Sequence, residues 1–143
     1  REAREGQIVS YIHAGGKLGV LLEINCETDF VAKNETFQSF TRDIAMQIAA
    51  AHPLYVSPEN IPAADLEKEK AIFFEQVKDK PETVRNKIIE GKLSKRYEDI
   101  CLLNQKFIKD DSRTVQELLT EFIAKIGENI IIRRFVRFEV GGN

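Results

Sequence analysis

The sequence predicts an α+β fold: an antiparallel sheet of about three strands, helices packed on one of its faces, and an antiparallel helical pair among those helices. Three observations lead there. Leu18, Val20, Leu22, Ile24 and Cys26 alternate with Gly19, Leu21, Glu23, Asn25 and Glu27 behind a Gly-Gly pair, which is the period of a half-buried strand. Phe37, Phe40, Ile44, Ala45, Ile48 and Ala49 recur at steps of three and four, which is the period of an amphipathic helix. Strand-like runs stand near both ends of the chain with helical patterns between them, so the economical arrangement brings the ends into one sheet.

Each element has its own signal. QIVSYIHA at 7–14 is rich in β-branched and aromatic residues, and Gly15-Gly16 joins it to the alternating run as a hairpin turn that needs positive φ. Asn34 is placed to cap the next helix, because its side chain accepts from an otherwise unpaired backbone N–H. His52-Pro53 ends that helix, since the residue before proline is pushed out of the right-handed α region. The connector 53–62 holds three of the four prolines, and Ser57-Pro58 suits a single helical turn. The charged stretch 63–78 carries Leu66, Phe73 and Val77 as a sparse stripe. After Pro81, a helix from Glu82 to about Leu102 carries Val84, Ile88, Leu93 and Ile100 or Cys101, with Gly91 weakening it by about 1 kcal/mol relative to Ala. These two segments form the expected helical pair. Residues 104–113 either return to the sheet or pass as a loop. Thr114 and Glu117 make a capping box, Leu118, Leu119, Phe122, Ile123 and Ile126 form the stripe behind it, and Gly127 is the natural C-cap. In the final strand, Ile130, Ile132, Val136, Phe138 and Val140 are expected on one face, interrupted by Arg134, with Ile131, Arg133, Phe135, Arg137 and Glu139 on the other.

The 143 residues, with 21 Lys and Arg against 23 Asp and Glu, suit one domain spanning 1–143 with a core of its own. No apolar run approaches the roughly 18 residues of a membrane span, and REAREG does not open a signal peptide. The start at Arg1 without a Met reads as a fragment or processed product. A net charge of −2 argues against nonspecific nucleic-acid binding by the whole chain.

Little in the sequence points to catalysis. His13 falls in a strand and His52 at a helix end, with nothing to bring them together. No Cys or His pair has zinc spacing, so no metal and no cofactor is expected. There is no phosphate loop, and Gly127-Glu128-Asn129 stands at the wrong end of a helix for anion binding. Cys26 reads as a buried structural cysteine before a nucleophile. Arg133, Arg134 and Arg137, with Arg133 and Arg137 on one face, read as a solvated strand face paired with acidic residues; an RNA-binding patch is the alternative. The most informative stretch is Asn25 to Glu35, where a strand ends and a helix begins. Phe30 sits in that short connection among polar neighbours. It either folds back onto the core or is presented on a rigid corner as an interface anchor, with Asp29 beside it offering a charge to polar or metal-associated groups of a partner.

NCETDFVAKNETF, KLSKRYEDICLLNQKFIKDD and KIGENIIIRRFVRFE, together with the opening hairpin, resemble the elongation factor Ts family over nearly the whole chain. The resemblance implies a guanine-nucleotide exchange factor, not an enzyme with chemistry of its own, that binds elongation factor Tu in its GDP-bound and nucleotide-free forms. It implies that Thr28, Asp29, Phe30 and Val31 contact the GTPase beside its Mg2+ site. Phe30 would wedge into a pocket between GTPase helices, Asp29 would contact polar groups beside it, and the helix shift would disturb the magnesium site and loosen GDP. Relative to the family's pattern, a small N-terminal three-helix module resembling a ubiquitin-associated domain is missing and REAREG looks like the linker after it, which leaves room for weak exchange. Short relatives pair as homodimers, so a homodimer through the sheet is expected, resting on noncovalent packing because Val136 stands where some relatives have a bridging cysteine. Bacterial cytoplasm is the default compartment, with an organelle as the alternative. The competing readings are an RNA- or ribosome-associated domain using the three arginines, marked by steep salt dependence, and an enzyme using Cys26, marked by a reactive low-pKa thiol.

Overall fold

The computed structural model describes residues 1–142. Strand β1 (Glu5–Ile12) and strand β2 (Leu18–Cys26) form the expected hairpin. Gly15 and Gly16 turn it with φ of 95° and 71°, a region in which a Cβ would be strained. A single helical turn, α1 (Asp29–Ala32), leads into α2 (Glu35–Ala51). The pair α3 (Ala63–Val77) and α4 (Glu82–Ile100) comes next, then a small hairpin of β3 (Lys106–Phe107) and β4 (Asp110–Thr114). Helix α5 (Val115–Ile126) and strand β5 (Ile131–Glu139) close the chain. The main sheet is antiparallel in the order β1-β2-β5. The ends of the chain do meet in it, and residues 104–113 form a separate two-stranded sheet instead of joining it.

Local chemistry explains most boundaries. Asn34 Oδ1 accepts from Thr36 N at 2.7 Å and starts α2. His52 ends it in the left-handed region at φ 48°, so the proline effect removes it from the right-handed α basin without making it extended. Both halves of the Thr114–Glu117 capping box are made, and Gly127 terminates α5 with φ 79°. His13 lies just past the end of β1, in the turn, and not in the strand.

The core lies between the sheet and helices α2 and α5. Val20, Leu22, Ile24 and Cys26 face it from β2, opposite Phe37, Phe40, Ile44, Ala45, Ile48 and Ala49 of α2. Leu119 and Phe122 of α5 close it, with the Phe40 and Phe122 rings stacked at 4.2 Å between centroids. Stacked aromatics of this kind add to the stabilisation from their burial. The α3–α4 pair is more lightly packed: Val77, Leu93 and Ile100 are its buried apolar residues, and an Arg96–Glu69 ion pair at 3.0 Å crosses it. Val84, expected in that stripe, is exposed.

The expected faces of the last strand are corrected by a bulge. Ile24 pairs with Ile132, but Glu23 pairs with Arg134, so Arg133 is an extra residue on β5. A bulge of one residue exchanges the faces of everything beyond it. Ile130 and Ile132 are buried as expected, whereas Val136, Phe138 and Val140 are turned away from the core and exposed. They join Ile8, Ile12 and Leu21 on the outer side of the sheet, also exposed.

The bulge also disperses the three arginines. Arg133 Nε donates to Asn25 Oδ1 at 2.8 Å, and Arg134 pairs with Glu23 at 2.9 Å. Arg137 turns toward α2, where its guanidinium donates to the Ala49 carbonyl at 2.9 Å. A cation at a helix C-terminus is favourably placed against the helix dipole. Arg133 and Arg137 therefore do not share a face.

Candidate functional site

The segment singled out in the sequence is not a bare loop. Thr28 is extended, and its Oγ1 accepts from Val31 N at 3.2 Å, capping the single turn α1. Lys33 ends the turn with its N–H on the Asp29 carbonyl at 3.1 Å, and Asn34 begins α2 immediately afterwards. A strand, one helical turn and a long helix thus succeed each other with almost no free backbone between them.

The four candidate residues divide into two pairs. Val31 is buried in the core, and the Thr28 side chain is occupied by the cap. Asp29 and Phe30 point outward. Phe30 is 81% exposed, the most exposed of the large apolar side chains. Asp29 forms an i,i+4 ion pair with Lys33 at 2.9 Å, and this hydrogen bond and charge raise the Lys33 pKa above its ordinary value. The pattern of residues left the direction of Phe30 open; the structure turns it outward, because the buried positions of the turn are taken by Val31 and Ala32.

The support of the turn comes from the far end of the chain. Glu128 Oε1 accepts from the backbone N–H groups of Glu27 and Thr28 at 3.0 and 3.1 Å, and Glu128 Oε2 accepts from the Thr28 hydroxyl at 2.7 Å. Reciprocally, Glu27 Oε2 accepts from Asn129 N at 2.6 Å, and Glu27 Oε1 pairs with Arg1 Nε at 3.0 Å. Sequence reasoning missed Glu128 and Asn129 here, because their local pattern marks only the end of a helix. Their partners are about a hundred positions away, so no local spacing signals the contact.

Cys26 lies beneath the turn, fully buried, its Sγ donating to the Thr28 carbonyl at 3.2 Å. Burial, with the Glu128 carboxylate nearby, pushes its pKa above the ordinary thiol value. Cys101 is also buried, and burial pushes it up to about 11. A raised thiol pKa is the opposite of what a nucleophile needs. Among the described residues no group of three His, Cys, Asp or Glu side chains is placed to hold a metal ion, and no helix is long and apolar enough to cross a membrane.

Residues 1–142 match the family model described as elongation factor TS. The chain belongs to the elongation factor Ts family. Elongation factor Ts of Geotalea uraniireducens is 60% identical over 143 residues, covering 99% of this chain and 66% of that protein. Elongation factor Ts of Geobacter sp. strain M21 is 57% identical over the same coverage, and that of Thermodesulfovibrio yellowstonii is 57% identical over 142 residues, covering 71% of its length. The chain thus spans 66% of the length of the first of these elongation factor Ts relatives, a little under two thirds.

Proposed function

We propose that this chain acts as one domain that binds elongation factor Tu and promotes release of its GDP, in the bacterial cytoplasm, with no covalent chemistry of its own. The observation that carries the reading is the exposure of Phe30 on a turn whose backbone is held at both ends. An aromatic side chain fixed outward in the free protein docks with little further loss of conformational entropy. Its full burial in a partner's pocket is worth roughly 1.5–3 kcal/mol. Asp29, beside it on the same exposed side, supplies a charge for polar groups around the partner's magnesium site. Thr28 and Val31 contribute from below by shaping the turn. Insertion of Phe30 between helices of the GTPase would displace one of them and weaken magnesium coordination, and with it the hold on GDP.

Linkage sets what such a factor must do. If it weakens GDP binding by some factor, GDP weakens its own binding by the same factor. The nucleotide-free GTPase is therefore its tightest target.

A second surface supports self-association. The outer side of the sheet carries Ile8, Ile12, Leu21, Val136, Phe138 and Val140, all exposed. Contiguous apolar patches of this kind mark interaction sites. Two copies meeting face to face would bury it twice in an isologous contact, which fits the homodimer through the sheet. The reading as an RNA-associated domain loses its basis, because the three arginines it needs are dispersed and paired.

The test is release of a fluorescent GDP analogue from elongation factor Tu. The chain is expected to accelerate release and Phe30→Ala to remove most of the acceleration, about 30-fold for an interface anchor worth 2 kcal/mol. Equal acceleration by both proteins would refute the role given to Phe30. Neither acceleration nor binding to the nucleotide-free GTPase would refute the function itself.

A further inference from the structure

The hydrogen bonds of the turn assign a role to a residue outside it. We propose that Glu128 is a positioning residue: its carboxylate fixes the Thr28–Val31 turn so that Phe30 is held outward for its partner. This rests on the reading that Phe30 docks on the GTPase.

Hydrogen-bond polarity carries the assignment. Glu128 Oε1 takes two backbone N–H groups, those of Glu27 and Thr28. These amides lie at the end of β2, where the chain leaves the ladder, and a carboxylate accepting them pins the backbone from which α1 departs. Glu128 Oε2 takes the proton of the Thr28 hydroxyl. With its proton so directed, Thr28 Oγ1 has its lone pairs free for Val31 N–H. The carboxylate therefore sets the orientation of the cap, and the cap sets the turn that carries Phe30. Hydrogen bonds to an ionised acceptor are roughly twice as strong as neutral ones, so an acid at this place holds more firmly than an amide would. The second carboxylate, Glu27, accepts from Asn129 N at 2.6 Å. Each segment thus offers an acid to the other's backbone, and the two are joined as a reciprocal pair.

Glutamine in place of Glu128 separates this role from mere packing. It has the same shape, and its one oxygen can still accept from the two backbone amides. Its NH2 group, however, would donate to Thr28 Oγ1, leaving the Thr28 hydroxyl proton to find another acceptor and disturbing the bond from Val31. The fold is expected to survive, because the core residues are untouched.

Two measurements test the inference. The first is amide hydrogen exchange in the free protein, which reads local opening. E128Q should accelerate exchange at Thr28 and Val31 about 10-fold and leave Ile44 and Ile48 of α2 unchanged; Thr28→Val should reproduce the change at Val31, and Thr28→Ser should restore protection there. The second is a double-mutant cycle with F30A, read as affinity for nucleotide-free elongation factor Tu. E128Q should weaken binding about 10-fold when Phe30 is present and hardly at all when residue 30 is Ala. Unchanged exchange at Thr28 and Val31, or additive effects in the cycle, would overturn the positioning role. A distinct failure, in which F30A binds as tightly as the parent while E128Q still loosens the turn, would sink the docking role of Phe30 and leave the hold of Glu128 on the turn supported.

Discussion

Phe30 and the outer face of the sheet both leave apolar side chains in water, and they are built in opposite ways. Phe30 is one residue on a single helical turn, held by a cap, by the Glu128 carboxylate from the far end of the chain and by the bond that the neighbouring Glu27 accepts from Asn129. The outer face is broad, with residues from all three strands, and the side chains stand on the bulged sheet with an ion pair, Glu23–Arg134, among them. Point and plane suit different partners. A single rigid side chain enters a pocket on a dissimilar protein. A flat apolar surface is covered best by another of its kind, since a self-complementary contact repeats each gain twice. Exposure alone therefore does not specify a function; the support beneath the exposed group does.

The strongest way to break both regions at once is to remove the core on which they stand. Phe37 is fully buried under the sheet and beside Phe122. Phe37→Ala should destabilise the fold by about 3–5 kcal/mol in denaturant titration, with exchange and self-association lost together when the protein unfolds. Breaking the plane alone needs a charge placed in it. Val136→Glu should weaken self-association by about 100-fold or more in analytical ultracentrifugation, because each copy would bury an unpaired carboxylate. The Phe30 turn should keep its amide protection in that variant.

The firmness of the point can be sharpened through Cys26. Its thiol lies under Thr28 and its pKa is raised by burial. Reaction with a thiol reagent at pH 8 should be at least about 100-fold slower in the native protein than in the unfolded one. Rapid native labelling would mean that the turn opens freely. The smallest effect concerns the plane. A hydrogen bond from Asn25, and then the Arg134 guanidinium, lower the Glu23 pKa. A folded pKa below the unfolded one means that the stabilisation is complete above the ordinary glutamate range and is lost as pH falls through the lowered folded value. Glu23→Gln should flatten the stability profile in that acidic window and change little near pH 7.

How much of this was legible in the sequence depends on how far each signal reaches. The Gly15-Gly16 hairpin, the Asn34 cap and the Thr114–Glu117 box are decided within four residues, and all three stand as read. The face of β5 beyond Arg133 was not, because a bulge is a property of the pairing with β2 and not of β5 alone. The sequence placed Val136, Phe138 and Val140 with Ile130 and Ile132; the extra residue puts them on the opposite side, and so creates the apolar plane. The direction of Phe30 was open for a similar reason. Its one-turn helix depends on the Thr28 cap, and that cap depends on Glu128, a contact spanning 100 positions. Helical pairing in α3 and α4 was legible from stripe and proline, but the weak stripe overstated the burial of Val84.

The separation of point from plane is tested most directly by Phe30→Ala in two readouts on one preparation: affinity for nucleotide-free elongation factor Tu, and sedimentation of the chain alone. Binding to the GTPase should weaken about 30-fold, with the sedimenting mass and thermal midpoint of the parent retained. Undiminished binding, or a loss of self-association on removing this one side chain, would contradict that separation.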